Sequence, residues 1–261
     1  MNTVIVPVDF SDTSLNAAHY ASKLFIGQYG VTIILYHSYQ KVSELGEAQA
    51  KLDELKNELM QQNAVKIETL AHQGDDFILE LERAVRHRRA DLVVMGITGR
   101  NAIAQLLIGS NTFKMAETKA CPVLIIPEKV EFTQIKNVML SSDFKDTMNS
   151  TPSVPIKNVL DIVKPKLHIV NVDPDHYVAL TELYEKEKGD LDKLFSDYNP
   201  EYYFMRLYDI DEALNLFATE KHIDMIIAVH KNKTFFDRIL KRSRTRSLSY
   251  QSNVPILVVH E

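Results

Sequence analysis

The residues with the most chemical potential in this sequence are three glycines and a serine, Gly96-x2-Gly99-x9-Gly109-Ser110, followed at once by Asn111 and Thr112. A glycine has no Cβ, so its backbone can take a positive φ and approach a ligand closely. A glycine and a hydroxyl at the mouth of a helix offer free N–H groups and the positive end of the helix dipole, which together suit phosphate. The hydroxyls of Ser110 and Thr112 and the amide of Asn111 add donors, or cap the helix. Taken one at a time, these are turn glycines and an N-cap serine. Gathered in one segment, they point to a phosphate cradle.

A cradle of this kind needs a scaffold to aim it. In open parallel sheets, ligands sit beyond the carboxyl ends of the strands, where the strand order reverses. The first half alternates short β-branched runs, near 3–8, 31–37, 65–71, 91–96 and 122–126, with helical patterns near 13–28, 44–63, 75–89 and 111–119. The apolar runs from Val31 to Tyr36 and from Leu92 to Met95 suit strands buried on both faces. Segment 44–63 is rich in good helix formers, and Asp75 is placed to cap the helix that follows. Strands alternating with helices predict an α/β, doubly wound, five-stranded parallel sheet, with the glycines just after its fourth strand.

The chain then repeats itself at a spacing of 133–134 residues. The segment Val8-Asp9-Phe10-Ser11-Asp12-Thr13 returns as Ser142-Asp143-Phe144-Lys145-Asp146-Thr147. Asp91-Leu92-Val93-Val94-Met95 returns as Asp224-Met225-Ile226-Ile227-Ala228, and Pro122-Val123-Leu124-Ile125-Ile126 as Pro255-Ile256-Leu257-Val258-Val259. Two tandem domains are expected, 1–128 and 135–261, joined by a polar connector running from Pro127 to Gln134. Second-half strands are expected near 137–142, 166–172, 201–206, 224–229 and 255–259. The loop is not preserved in the copy: Gly96 becomes Val229, Gly99 becomes Asn232, Gly109 becomes Arg242, and Ser110 alone survives, as Ser243. Basic side chains from Lys231 to Arg246 surround it, either as a solvated face or as an anion site.

The spacing Gly96-x2-Gly99-x9-Gly109-Ser110 resembles the ATP-binding signature of the nucleotide-binding class of universal stress proteins. The opening Val4-Ile5-Val6-Pro7-Val8-Asp9-Phe10-Ser11 and the ending Cys121-Pro122-Val123-Leu124-Ile125-Ile126-Pro127 resemble that family too, and the likeness extends over essentially the whole chain. It implies the adenine-nucleotide α-hydrolase-like fold, with ATP, ADP or AMP bound across the strand tips, Mg2+ as a companion ion, and dimer contacts through the last strand. In a tandem chain that dimer becomes an intramolecular pseudo-dimer through strands 122–126 and 255–259, and a homodimer of chains is the further option. Carried over position by position, Pro7, Val8 and Asp9 stand near the nucleotide, and Gly96, Gly99, Gly109 and Ser110 meet phosphate and ribose. Asn111 and Thr112 continue that helix mouth. Ser38 stands where the family has a hydrophobic residue against adenine. Asp9 has two open roles, ligand contact or a turn and cap role with Ser11. Arg100 either reaches a phosphate or is solvated.

Other chemistries lack their anchors. There is no Walker loop, no dinucleotide fingerprint and no Cys/His set with zinc spacing. His37 follows the second strand without an orienting carboxylate beside it in sequence, and no nucleophile–base pair stands out. The net charge of −5 argues against a nucleic-acid partner. The chain has 45% hydrophobic and 25% charged residues, as a globular protein does, and no apolar run of membrane-spanning length. A lone cysteine, Cys121, and an N-terminus unlike a signal peptide suggest a cytoplasmic protein. The favoured function is a nucleotide-binding stress-response regulator that is not primarily a catalyst. Its rivals are an enzyme of the wider adenine-nucleotide group, as a slow ATPase or adenylyl transferase, and a ligand-free structural stress protein.

Overall fold

The structure, a computed structural model, describes residues 1–97, 110–172, 182–205, 210–230 and 254–261, with Ser110 and residues 210–212 described by backbone alone. It divides into two compact units, Met1–Phe132 and Thr133–Glu261. The first unit runs β1 (Thr3–Pro7), α1 (Asp12–Leu24), β2 (Thr32–Tyr39), α2 (Leu45–Gln62), β3 (Lys66–Gln73), α3 (Phe77–Arg88), β4 (Leu92–Ile97), α4 (Ser110–Glu117) and β5 (Val123–Pro127). Its strands lie in the order β3-β2-β1-β4-β5, and every pairing among them is parallel. The order reverses between β1 and β4, which makes their tips the switch point of a doubly wound sheet.

The core follows from the apolar runs. Val4, Ile5, Val6, Leu92, Val93, Val94, Val123 and Leu124 are all inaccessible, as strands covered on both faces by helices should be. Against the sequence expectations, strand bounds move by two residues or less. The first helix is the larger miss. It ends at Leu24 rather than 28, because Gly27 takes φ +75 and donates its N–H to Ala64 O, turning the chain toward β2. The cap of α3 also differs: Asp76, not Asp75, accepts from the N–H groups of Ile78 and Leu79, both at 3.1 Å.

The second unit holds β6 (Asn137–Ser141), α5 (Thr147–Ser150), α6 (Ser153–Val163), β7 (Lys166–Val172), α7 (Glu182–Phe195), β8 (Glu201–Met205), α8 (Ile210–Glu220), β9 (Met225–His230) and β10 (Ile256–His260). Its order β8-β7-β6-β9-β10 is the order of the first unit again. The repeated residues recur in repeated jobs. Asp91 Oδ2 accepts from the N–H groups of Asn2 and Thr3 at 2.6 and 3.0 Å. Asp224 Oδ2 accepts in the same way from Lys136 and Asn137 at 2.8 and 2.9 Å. Each carboxylate ties the start of a central strand to its neighbour, which explains why this aspartate stands in both copies. Phe10 and Phe144 adopt left-handed φ values of 62 and 53 in the turn after the first strand of each unit. A non-glycine residue there costs roughly 1–2 kcal/mol, so the surrounding structure must hold it.

One element is not copied faithfully. Where the first unit has the unbroken α1, the second has α5 and α6, separated at Thr151-Pro152. Pro152 is the N-cap of α6 and Pro155 lies in its first turn, positions where a missing N–H costs little, but proline inside a continuous helix would break it.

Candidate functional site

A cleft of about 470 Å³ opens at the tips of β1–β4. It is lined by Pro7, Val8 and Asp9 at the end of β1, Ser38 of β2 and Gln40 just after it, Gly74 and Asp75 of the β3–α3 turn, Phe77 at the start of α3, and Met95 and Gly96 of β4. Ser11, Thr13 and Ser14 of the α1 entry and Asn111 and Thr112 of α4 complete it. Seven of the residues singled out in sequence therefore meet in one place: Pro7, Val8, Asp9, Ser38, Gly96, Asn111 and Thr112. Ser110 begins α4. Gly99, Arg100 and Gly109 lie outside the described residues, as do Asn232, Arg242, Ser243 and the basic stretch from Lys231 to Arg246.

Asp9 shows its turn role directly. Its Oδ1 accepts from the Ser11 N–H at 3.0 Å and from the Ser11 hydroxyl at 2.5 Å, while its own N–H donates to Ser14 Oγ at 3.3 Å. Partial burial pushes the Asp9 carboxyl upward, but the hydrogen bonds from Ser11 and Ser14 outweigh it and hold the pKa below the ordinary value. The cleft wall thus carries a fixed negative charge at neutral pH. The turn role and the cleft position coexist, because the side chain is exposed.

Gly96 has a reason of its own. A Cβ at that position would sit 2.3 Å from Thr13 O, 2.7 Å from Thr13 Cγ2 and 2.8 Å from the Thr13 carbonyl carbon. The first turn of α1 presses directly on β4 there, and only glycine allows it. The carbonyl of Gly96 accepts from Thr112 Oγ1 at 2.9 Å, so the buried Thr112 fastens the first turn of α4 to the strand tip. Phosphate contact and close packing are compatible demands on this residue, but the packing demand was not visible in the sequence.

His37 does not line the cleft. Its Nδ1 lies 2.7 Å from Val8 O, a bond that places the proton on Nδ1 and pins the β1 tip to β2. Asn171 does the same in the second unit, donating from Nδ2 to Ser142 O at 2.9 Å. At the β2–β3 side, Tyr36 is fully buried, and among the described residues its hydroxyl makes no hydrogen bond. Burial pushes its phenol up to about 12. Sequence reasoning missed Gln40, Gly74, Asp75 and Phe77; the Gly74-Asp75-Asp76 run after the third strand was the available signal.

The second unit is built differently at the same place. Thr147, the counterpart of the cleft residue Thr13, is fully buried. Its N–H and hydroxyl donate to Glu187 Oε2 at 2.7 and 2.8 Å. Glu187 is only 5% exposed, and Tyr184 one turn earlier on α7 stacks on Phe144 at 5.6 Å. Val229, at the Gly96 position, is buried as well.

Known proteins agree with this architecture. The model of the universal stress protein family matches residues 1–127. A universal stress protein of Thermus aquaticus is 30% identical over 135 residues, covering 97% of that protein and 48% of this chain. Another, from Methanocaldococcus jannaschii, is 30% identical over 138 residues, covering 80% of that protein. The chain belongs to the universal stress protein family. Both relatives correspond to about half of this universal stress protein, as a two-unit chain requires. A universal stress protein structure from Archaeoglobus fulgidus covers 99% of this chain and 98% of its own at a TM-score of 0.72 and 17% identity, which extends the fold likeness to the whole chain. A universal stress protein solved in complex with cAMP is 26% identical, covers 48% of this chain and has a TM-score of 0.40. Among the described residues no helix is long and apolar enough to cross a membrane.

Proposed function

We propose that this universal stress protein is a nucleotide-responsive regulator that binds one adenine nucleotide per chain, in the cleft of its first unit. The observation that carries the reading is convergence. Residues chosen from four separated segments, 7–9, 38, 96 and 111–112, line one cleft at the switch point of a doubly wound sheet. The phosphates lie toward β4 and α4, where the helix start offers N–H groups. Asp9, the carboxylate lining this cleft beside its strand tip, would be the residue to hold a Mg2+ ion accompanying the phosphates, and the ion would supply charge neutralisation there. Among the described residues no group of three His, Cys, Asp or Glu side chains converges.

The second unit supports the reading of one site rather than two. There Glu187 is buried and already bonded to the Thr147 N–H, and a buried Val229 stands at the glycine position. An anion arriving at that place would meet a buried carboxyl group whose oxygen already accepts from Thr147.

Mass spectrometry of small molecules released on denaturing the purified protein identifies the nucleotide, and calorimetric titration with ATP, ADP, AMP and cAMP gives affinity and stoichiometry. The expected stoichiometry is near one. Two equivalent sites contradict the asymmetry, and no binding of any of the four contradicts the site. Gly109→Val, at the phosphate end, is expected to abolish binding while leaving the fold intact.

A further inference from the structure

The nucleotide reading leaves the base without a partner, because Ser38 stands where an apolar side chain would serve. We propose that Phe77 is the base-contacting residue of this cleft, its ring stacking on the base of the bound nucleotide at the β2–β3 end. The inference rests on the nucleotide reading and adds to it a specific residue and a direction for the ligand.

Position comes first. The phosphate end of the cleft is at Gly96 and Thr112, on β4 and α4. Phe77 lies at the tip of β3, and the strand order β3-β2-β1-β4 puts three strand spacings, about 14 Å, between β3 and β4. A nucleotide laid across the tips with its phosphates on β4 brings its base to that far side. Among the described lining residues Phe77 is the aromatic one; its neighbours there are Ser38, Gln40, Gly74 and Asp75.

The ring is also held in advance of any ligand. Phe77 is the first residue of α3, directly after the N-cap Asp76, which accepts from Ile78 N and Leu79 N. The turn before it is fixed by the Gly74 N–H donating to Tyr39 O at 3.0 Å. A Cβ at Gly74 would lie 2.5 Å from Glu80 Cγ, so the Glu80 side chain would have to shift to admit one. Behind Phe77 stands the buried ring of Tyr36, with centroids 6.3 Å apart and planes inclined at 56°, and Tyr36 is itself stacked on His72 at 6.3 Å. Phe77 is half-buried: one side rests on this aromatic support and the rest faces the cleft. A ring that is already ordered loses little entropy on binding, which favours stacking. Ser38, whose hydroxyl donates to Gly74 O at 3.5 Å, and Gln40 line the same end of the cleft.

The test uses the full chain. Calorimetry with ATP compares wild type, Phe77→Ala and Phe77→Leu. Because the chain has no tryptophan, Phe77→Trp introduces a sole indole whose fluorescence reports on the base. The expected result is a loss of ATP affinity of about tenfold or more in Phe77→Ala, a smaller loss in Phe77→Leu, and quenching of the Phe77→Trp emission by ATP but not by inorganic tripolyphosphate. Phe77→Ala binding ATP within twofold of wild type overturns the inference and leaves the nucleotide reading standing. So does equal quenching by ATP and tripolyphosphate, since the ring would then sense the phosphates or the fold. If the wild-type chain binds no nucleotide, reading and inference fall together.

Discussion

Replacing Gly96 with alanine separates what this glycine does for the fold from what it does for a ligand. The added Cβ would stand 2.3 Å from a backbone oxygen, Thr13 O, with two further Thr13 atoms under 3 Å. Unstrained carbon contacts lie near 3.5 Å or beyond, so the shortfall is about 1 Å. The obstacle is the first turn of α1, not the free end of a flexible side chain. It cannot step aside without dragging the N-cap Ser11, whose side chain accepts from Ser14 N, and the Asp9 turn behind it. Overpacking of this kind costs about 1–3 kcal/mol. A loss near 2 kcal/mol changes the folded-to-unfolded ratio by roughly 30-fold. Urea unfolding of the ligand-free protein reads that loss, and amide exchange should locate it in Asp12–Leu24 and β4 rather than in the second unit. ATP affinity should fall as well, since Thr13 and Gly96 both line the cleft. A ligand-free stability unchanged within about 0.5 kcal/mol, with normal exchange in α1, would falsify the packing argument. Gly96 would then be a glycine for the ligand only.

Three further outcomes are expected. Glu187→Ala removes the buried acceptor of the Thr147 N–H and hydroxyl and should cost about 3 kcal/mol in urea unfolding, while Glu187→Gln, which keeps an acceptor oxygen, should cost less; the reverse order would contradict the hydrogen-bond account. Cys121 is buried and its thiol pushed up to about 12, so iodoacetamide at pH 8 should leave it unmodified in the native protein and label it in urea; labelling of native protein at the rate of a free thiol would refute this. Asp9 has a folded pKa below its ordinary 3.8, so the stability it contributes is present above that value and is lost as pH falls through the folded pKa; an NMR titration should show the depressed value and its rise toward 3.8 in Ser11→Ala, and an Asp9 that titrates normally in the wild type would refute it.

Most of the fold was legible because its signals are local. A run such as Leu92–Met95 is apolar at every position, and only a strand covered on both faces uses such a run well. The cleft was legible for a different reason: the rule that ligands sit at strand tips turns a list of distant residues into neighbours once the strands are placed. What stayed hidden depends on distances that no local pattern carries. Asp75 and Asp76 are equally good caps by type, and only the path of the turn chooses between them. Gly96 looked like a residue reserved for a ligand because Thr13, 83 positions away, gave no sign that it presses on β4. Phe77 passed as one more apolar residue on a helix, since nothing in its neighbourhood tells whether its ring turns to the core or to the cleft.

On the proposed one-site reading, restoring glycine in the second unit is not expected to restore binding. At the position of Gly96 the second unit has Val229, and the helix that would meet it is not α1 but the interrupted pair α5 and α6. The prolines at 152 and 155 fit the start of α6, so the helix that is unbroken in the first unit is divided here. The early turn left behind, at Thr147, then needs a partner for its N–H. In the first unit the buried Thr13 lines the cleft; in the second, α7 provides Glu187 as the partner of Thr147. Reverting Val229 to glycine alone would remove a buried side chain and leave the Thr147–Glu187 bond in place. Loss of side-chain contacts without recovery of binding is the expected result, and recovery of ATP binding by Val229→Gly alone, measured by calorimetry against a protein whose first-unit site is disabled by Gly109→Val, would show that the glycines by themselves decide the matter.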